Sequence, residues 1–133
     1  MTYGLDTSAV LRLLTGEPQE LALRVVHRVM EIFRSGGFCT VSDLVATESY
    51  YALQYHYKLP KEEALSALDA FGKDTGIRFS EAAGTVLKTK GLARANPGFA
   101  DRLIHAGYRQ SGYGMLTCEH AAASLIGVEV IKT

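Results

Sequence analysis

This sequence of 133 residues has few cysteines and prolines, no tryptophan and no excess of charge of either sign. It has two cysteines, three prolines and no tryptophan, and its 14 lysines and arginines equal its 14 aspartates and glutamates. Two cysteines cannot form a disulfide-stapled scaffold, so Cys39 and Cys118 are expected to be reduced core residues in a reducing compartment. A net charge of zero gives no overall attraction to the phosphates of a nucleic acid.

Long apolar runs are also missing. No stretch approaches the roughly 18 uncharged apolar residues that a membrane-spanning helix needs. The start of the chain, Met1 followed by TYGLDTSAVL, lacks the basic segment and the long apolar segment of a secretory signal. We therefore expect a cytoplasmic protein that does not enter a membrane.

The residues that are present fit one globular domain over residues 1–133. Hydrophobic residues make up 47% of the chain and charged residues 21%, which is ordinary globular composition and excludes intrinsic disorder. Charge is unevenly placed, because the stretch from Ala82 to Cys118 has one acid, Asp101, and five basic residues: Lys88, Lys90, Arg94, Arg102 and Arg109. Both a solvated helix face and a binding surface are compatible with that cluster.

Short apolar segments alternate with amphipathic segments along the chain. The apolar segments predict five strands, at Thr2–Leu5, Phe38–Val41, Ile77–Phe79, Gly114–Cys118 and Val128–Ile131. Helical periodicity predicts helices in the ranges 7–14, 19–34, 44–57, 61–73, 80–90, 99–110 and 121–126. Strands that alternate with helices are typical of an α/β domain with a mainly parallel central sheet and helices on both faces. In such sheets, ligands bind at the carboxyl ends of the strands.

Four carboxylates fall at positions suited to a site at that edge. Asp6 follows the first predicted strand and Glu119 follows the fourth. Glu48 lies within the apolar helical segment LVATESYYAL, and Asp101 lies in the first turn of its helix. Each also has a local explanation. Asp6 can cap a helix, Glu119 can interact with a helix dipole, and the other two can be partly exposed residues beside an apolar stripe.

Taken together, the four carboxylates predict a cation. Carboxylates a few ångströms apart disfavour joint ionisation, and a bound divalent ion removes that cost. Oxygen ligands suit Mg²⁺ or Mn²⁺, which retain waters and bind substrate phosphates alongside carboxylates. Such an ion lowers the pKa of water and stabilises negative charge on a phosphoryl oxygen. The pattern therefore predicts metal-assisted hydrolysis of a phosphodiester.

Four segments of the sequence resemble the PIN domain and, within it, the toxin ribonucleases of the VapC type. The opening YGLDTSAVLRLLTGEP is similar to the family's strand, aspartate and helix start, and VATESYYALQY is similar to the segment with its second acid. NPGFADRLIHAGY is similar to the region of the third acid. GMLTCEHAAASLIGVEVI is similar to the closing strand, acid, short helix and strand, with Thr117-Cys118-Glu119 where the family usually has Thr-Phe-Asp. The resemblance covers essentially the whole chain.

The resemblance implies a three-layer α/β/α fold and an endoribonuclease that cuts RNA with Mg²⁺ or Mn²⁺. The implied catalytic and metal-binding residues are Asp6, Glu48, Asp101 and Glu119. Water would attack phosphorus in line, with a carboxylate as base, and leave a 5′ phosphate and a 3′ hydroxyl. Thr117 would hydrogen-bond within the acid cluster, and Arg102 would hold the RNA backbone.

The resemblance also implies partners. It predicts a homodimer and a small antitoxin protein, which we expect to lie on the apolar helices at Thr7–Leu14 and Leu44–Tyr57. Single-stranded RNA is the expected substrate, because its bases and phosphates can enter a cleft. A non-catalytic PIN-like binding domain is the alternative, since Glu119 stands in place of the family's aspartate.

Overall fold

A computed structural model describes residues 1–132 of the chain. Contacts within the chain divide it into two compact units, Met1–Ser80 and a second unit that begins at Glu81. The α/β class predicted from the sequence is confirmed, because helices and parallel strands alternate in both units. The single domain predicted over 1–133 stays a prediction. No helix within the described residues is both long and apolar enough to cross a membrane.

The first unit contains three parallel strands and four helices. The strands are β1 (Thr2–Leu5), β2 (Phe38–Val41) and β3 (Arg78–Phe79), and the helices are α1 (Thr7–Thr15), α2 (Gln19–Arg34), α3 (Asp43–Tyr55) and α4 (Lys61–Thr75). The strands form one sheet in the order β1-β2-β3, with Leu5 opposite Val41 and Val41 opposite Phe79. This register aligns the carboxyl ends of all three strands at one edge.

Local sequence signals determine where these elements begin and end. Asp6 caps the start of α1, and Gly16 ends that helix in the left-handed conformation, with φ of 69°. Ser42 caps α3 by accepting a hydrogen bond from the Val45 amide at 3.2 Å. Between α2 and β2, a Cβ at Gly37 would lie 2.6 Å from the Met1 carbonyl oxygen, so only glycine fits this close approach.

The core of the first unit is formed by apolar side chains from the sheet and from all four helices. Cys39 and Val41 of β2 are almost completely buried, as are Val10 of α1, Ala46 of α3 and Leu68 of α4. The prediction that Cys39 is a core residue is therefore confirmed. Burying these apolar side chains is the main contribution that stabilises such a unit.

The second unit contains two helices, two short 3₁₀ segments and a two-stranded parallel sheet. In chain order the elements are α5 (Glu81–Leu87), a 3₁₀ segment (Leu92–Arg94), α6 (Phe99–Gln110), β4 (Met115–Thr117), a second 3₁₀ segment (His120–Ser124) and β5 (Val128–Val130). Helices α5 and α6 pack against each other. Their buried apolar side chains include Ala83, Val86, Phe99 and Leu103. The strands predicted to form one central sheet are thus hydrogen-bonded as two sheets, of three and two strands.

Three sequence-based predictions for the second unit are wrong in detail. The helix predicted through Lys90 ends at Leu87, because the Lys88 and Thr89 amides bond to carbonyls three residues back, in 3₁₀ fashion. The helix predicted at 121–126 is the 3₁₀ segment His120–Ser124, which is too short for an α-helix to propagate. Cys118 is exposed, not buried, because β4 ends before it at Thr117.

Candidate functional site

Asp6 lies directly after β1, at the carboxyl edge of the first sheet. Its Oδ1 accepts hydrogen bonds from the Ala9 amide at 3.0 Å and from the Ser8 hydroxyl at 2.7 Å. These bonds, led by the one from Ala9, lower the pKa of the Asp6 carboxyl below its usual value. The side chain is exposed, and its Oδ2 has no hydrogen-bond partner within residues 1–132. Asp6 therefore acts as a helix cap and still presents one oxygen of an ionised carboxylate.

Glu48 is joined to the same end of the unit by a hydrogen bond. It lies on an exposed position of α3, and its Oε1 accepts a hydrogen bond of 2.7 Å from the Thr7 hydroxyl. Thr7 is the first residue of α1 and follows Asp6 directly. Two of the acids predicted from the sequence, Asp6 and Glu48, are thus linked through Thr7, although 42 positions separate them in the chain. Only one oxygen of Glu48 is used by this bond.

Asp43 is a further acid at this edge, beyond the four predicted from the sequence. Asp43 follows β2 by two residues, and its Oδ1 accepts a hydrogen bond from the hydroxyl of Ser80, which directly follows β3. The signal that could have identified it is the one used for Asp6, an acid just after an apolar strand. Ser42-Asp43 is also a typical start of a helix, and this local explanation is why Asp43 is not among the acids predicted from the sequence.

Within the second unit, Asp101, Thr117 and Glu119 line one cleft of about 230 Å³. Asp101 lies in the first turn of α6, and Glu119 caps the second 3₁₀ segment without a side-chain hydrogen bond. Both carboxylates are exposed. The cleft is otherwise mainly apolar and aromatic, with Ile104 and Tyr108 from α6 among its lining residues. Of the sequence-predicted residues in this unit, three share one cleft.

Thr117 has a more local role than the resemblance implies. Its hydroxyl accepts a hydrogen bond of 3.0 Å from the backbone amide of Glu119. Within residues 1–132, this contact is the one hydrogen bond of the Thr117 side chain, so it orients the backbone that carries Glu119 rather than the carboxylate itself. The Thr117 hydroxyl therefore stabilises the turn that follows β4.

Arg102 does not line the cleft that contains Asp101. Its Nε donates a hydrogen bond of 2.7 Å to the carbonyl of Pro97, and its side chain lines a different cleft, between α5 and α6. Adjacent residues on a helix point about 100° apart, which places Asp101 and Arg102 on different faces of α6. Arg102 is therefore placed to bind something that reaches the α5–α6 face.

The oxygen chemistry of these residues fits a hard divalent cation. Asp6 and Glu48 each have one carboxylate oxygen without a hydrogen-bond partner among the described residues, and no ion pair within residues 1–132 involves any of the four predicted acids. Carboxylate oxygens are the ligands that Mg²⁺ and Mn²⁺ prefer. In the described part of the chain, no three histidine, cysteine, aspartate or glutamate side chains stand grouped as a metal site.

Comparisons with protein-family models, with curated proteins and with solved structures returned no match to this chain.

Proposed function

We propose that this protein is a metal-dependent endoribonuclease that hydrolyses phosphodiester bonds of RNA. The observation that carries the proposal is the coupling of Asp6 and Glu48 at the carboxyl end of β1, through the 2.7 Å hydrogen bond from Thr7 to Glu48. Ligands bind at this edge in parallel α/β sheets. The proposal includes a three-layer α/β/α PIN-like fold, as the sequence resemblance implies.

The first unit supports the proposal by presenting carboxylates that are already oriented. The Ala9 amide and the Ser8 hydroxyl fix Asp6, and the Thr7 hydroxyl fixes Glu48. Partners that orient ligating carboxylates raise the affinity and activity of metal sites, because less order has to be imposed when the cation binds. The lowered pKa of Asp6 keeps its carboxylate ionised to a lower pH than that of an ordinary aspartate.

The second unit supports the proposal through the cleft that Asp101 and Glu119 share. A divalent cation held by the two carboxylates would attract the phosphates of RNA, and the exposed apolar and aromatic side chains beside them are suited to planar bases. Tyr108 lines this cleft, and its ring lies 6.5 Å from that of Tyr113. Aromatic side chains bind single-stranded nucleic acids by stacking on bases.

The proposed metal ligands are the four carboxylates named from the sequence, and the proposed cofactor is Mg²⁺ or Mn²⁺. A bound divalent cation supplies two things: a lowered pKa for water and stabilisation of charge on a phosphoryl oxygen. The protein's own residues position the substrate phosphate and accept the proton of the attacking water on a carboxylate. The water oxygen joins phosphorus as the bond from phosphorus to the 3′ oxygen breaks, and that oxygen takes up a proton from solvent, which produces a 5′ phosphate and a 3′ hydroxyl.

The proposal extends to partners and location. We propose a cytoplasmic toxin of a toxin–antitoxin pair, with a small antitoxin on α1 and α3 and a homodimeric assembly. Helix α3 has an exposed apolar and aromatic surface that a partner could cover, including Leu44, Tyr51 and Tyr55. The rings of the two tyrosines are stacked, with centroids 6.1 Å apart.

The test is cleavage of unstructured and structured RNA by the full-length protein with Mn²⁺, with Mg²⁺ and with a chelator. We expect metal-dependent cleavage that is lost in Asp6→Asn and in Asp101→Asn and kept in Glu129→Gln, an exposed acid of β5 that serves as the charge control. End mapping should give 5′ phosphates. A folded protein that binds RNA but does not cut it with either metal would instead support the non-catalytic PIN-like binding domain.

A further inference from the structure

The second unit has another cleft, of about 350 Å³, on the side of α6 that faces α5. Three basic side chains of α6 line it, Arg102, His105 and Arg109, and one of the described residues in the lining is an acid, Glu81. Their spacing of three and four residues places them on one face of the helix. The two arginines lie seven residues apart, or about 10 Å along the helix axis.

The two arginines of this cleft are not ion-paired among residues 1–132, although one acid, Glu81, also lines it. Within residues 1–132, ion pairs occur on α2 and α4 of the first unit, and neither arginine of this cleft takes part in one. Arg102 uses only its Nε, to donate to the Pro97 carbonyl, and Arg109 donates to the Tyr113 carbonyl over 3.4 Å. Each guanidinium therefore retains N–H groups that can donate to an anion.

The neighbouring structure holds these side chains in place. The Nε2 atom of His105 lies 2.7 Å from the Ile126 carbonyl oxygen, so this nitrogen carries a proton and donates it. The Arg109 guanidinium lies over Gly127, where a Cβ would be 2.7 Å from Nη1. Any larger residue at 127 would displace Arg109. The glycine thus makes room for a cation at one end of the cleft.

Helix α5 and the turn that follows it contribute hydroxyl groups to the same cleft. Thr85 and Thr89 both line the cleft, and in the described part of the chain neither hydroxyl has a hydrogen-bond partner. Free hydroxyls that line the same cleft as two guanidinium groups form a donor-rich surface, because both kinds of group can donate to phosphate oxygens. Arginine is especially suited to phosphate, since its planar group can donate two parallel hydrogen bonds.

We propose that the cleft between α5 and α6 binds consecutive phosphate groups of a single RNA strand. The separation of Arg102 and Arg109 spans more than one phosphate, since a nucleic-acid strand carries one charge per about 3.4 Å of stacked rise. Asp101 and Arg102 are adjacent, so a backbone seated in this cleft passes the helix end that carries a proposed catalytic acid. The choice of RNA over another polyanion rests on the proposed function.

The test is the affinity of the full-length protein for a labelled single-stranded RNA in chelator, where cleavage is not required. Arg102→Gln and Arg109→Gln should each weaken binding about fivefold at 0.1 M salt and reduce the slope of log affinity against log salt by about 0.7, the value for one lost phosphate contact. Arg109→Lys should give an affinity between those of Arg109→Gln and the unaltered protein, because it keeps the charge and loses the paired donors. Arg34→Gln, at the exposed end of α2, is the matched control and should bind like the unaltered protein.

Three outcomes would overturn the inference. They are RNA binding that both glutamine variants retain, no RNA binding by the unaltered protein, and capture of an acidic peptide such as polyglutamate in preference to RNA. Thermal unfolding of each variant shows that it is folded. If the unaltered protein binds RNA through the two arginines but does not cut it with either metal, the nuclease proposal fails and the cleft assignment stands. Failure of the proposed function is therefore distinguishable from failure of this inference.

Discussion

The Thr7 hydroxyl donates a hydrogen bond of 2.7 Å to the Glu48 carboxylate, across 41 positions of sequence. Thr7 begins α1 and Glu48 lies in the second turn of α3, so one side-chain bond links these two helices near the carboxyl edge of the sheet. Because Asp6 precedes Thr7, the bond also links two proposed metal ligands. Its contribution to the site can be measured separately from its contribution to stability.

Thr7→Val should reduce RNA cleavage by about ten- to hundredfold, which is typical when a partner that orients a metal ligand is removed. The free energy of unfolding should fall by less than about 1 kcal/mol, because the hydrogen bond is exposed. Single-turnover cleavage and urea unfolding measure the two effects. Thr47→Val is the control, since that hydroxyl bonds only to a backbone carbonyl of its own helix. Equal loss in both variants would contradict a positioning role for Thr7.

Substitutions of Asp6 should separate capping from charge. Asparagine is as good an N-cap as aspartate, so Asp6→Asn should leave the free energy of unfolding nearly unchanged at neutral pH while it abolishes cleavage. Asp6→Ala should abolish cleavage and also cost about 1 kcal/mol of stability. Chemical denaturation beside the cleavage assay measures both. Cleavage by Asp6→Asn at the unaltered rate would remove Asp6 from the proposed ligand set.

Stability should depend on the ionisation of Asp6 only in acid. The folded pKa of Asp6 is lowered, so its contribution to stability is fully present above the unfolded pKa of about 4 and is lost as the pH falls through the folded pKa. We expect the difference in unfolding free energy between the unaltered protein and Asp6→Asn to be constant from neutral pH down to about pH 5. Below about pH 5, the unaltered protein should lose unfolding free energy relative to Asp6→Asn. A difference in unfolding free energy that stays constant down to the pH at which both proteins unfold would contradict this prediction.

Divalent metal should raise the unfolding temperature, because a ligand that binds only the folded state stabilises it by mass action. At a Mn²⁺ concentration about 100 times its dissociation constant, the gain is about 2.7 kcal/mol. Adding a chelator should reverse the shift, and Asp101→Asn should reduce it, whereas Glu129→Gln should not. Thermal unfolding followed by fluorescence or circular dichroism provides the measurement. An identical shift in Asp101→Asn and the unaltered protein would exclude Asp101 as a ligand.

The two cysteines should differ in reactivity. Cys118 is exposed, whereas Cys39 lies in the core and burial raises the pKa of its thiol, which keeps it protonated. A thiol reagent should modify one cysteine per chain in native buffer and two in denaturant. Cys118→Ser should leave no fast-reacting thiol. Rapid modification of Cys39 in the native protein would contradict the packing of β2.

Much of the local structure follows from nearest-neighbour chemistry and was predicted accordingly. The strand at Thr2–Leu5 and the helix at Gln19–Arg34 have the predicted bounds, since apolar alternation and capping residues act within a few positions. The errors fall where local signals are weak. The run after Val86 contains Gly91 and no strong cap, and the segment after Glu119 is only a few residues long, so 3₁₀ geometry prevails in both.

The pairing of side chains was decided by tertiary structure. Sequence spacing identified Asp6, Glu48, Asp101 and Glu119 as candidates because their types and flanking residues are local properties. It could not identify the partner of Glu48 or the contact of Asp43 with Ser80, because these hydrogen bonds join residues about 40 positions apart. Nor could it show that Asp101 and Arg102 line different clefts, although they are adjacent.

The sequence by itself thus determined the α/β class, most element boundaries and the four acids worth testing, since each depends on short-range periodicity, capping and residue chemistry. Only the tertiary structure decided that Thr7 holds Glu48, and that Arg102, His105 and Arg109 line one cleft with two free threonine hydroxyls. Those relationships depend on how distant segments pack, and packing is a property of the whole folded chain rather than of any one segment.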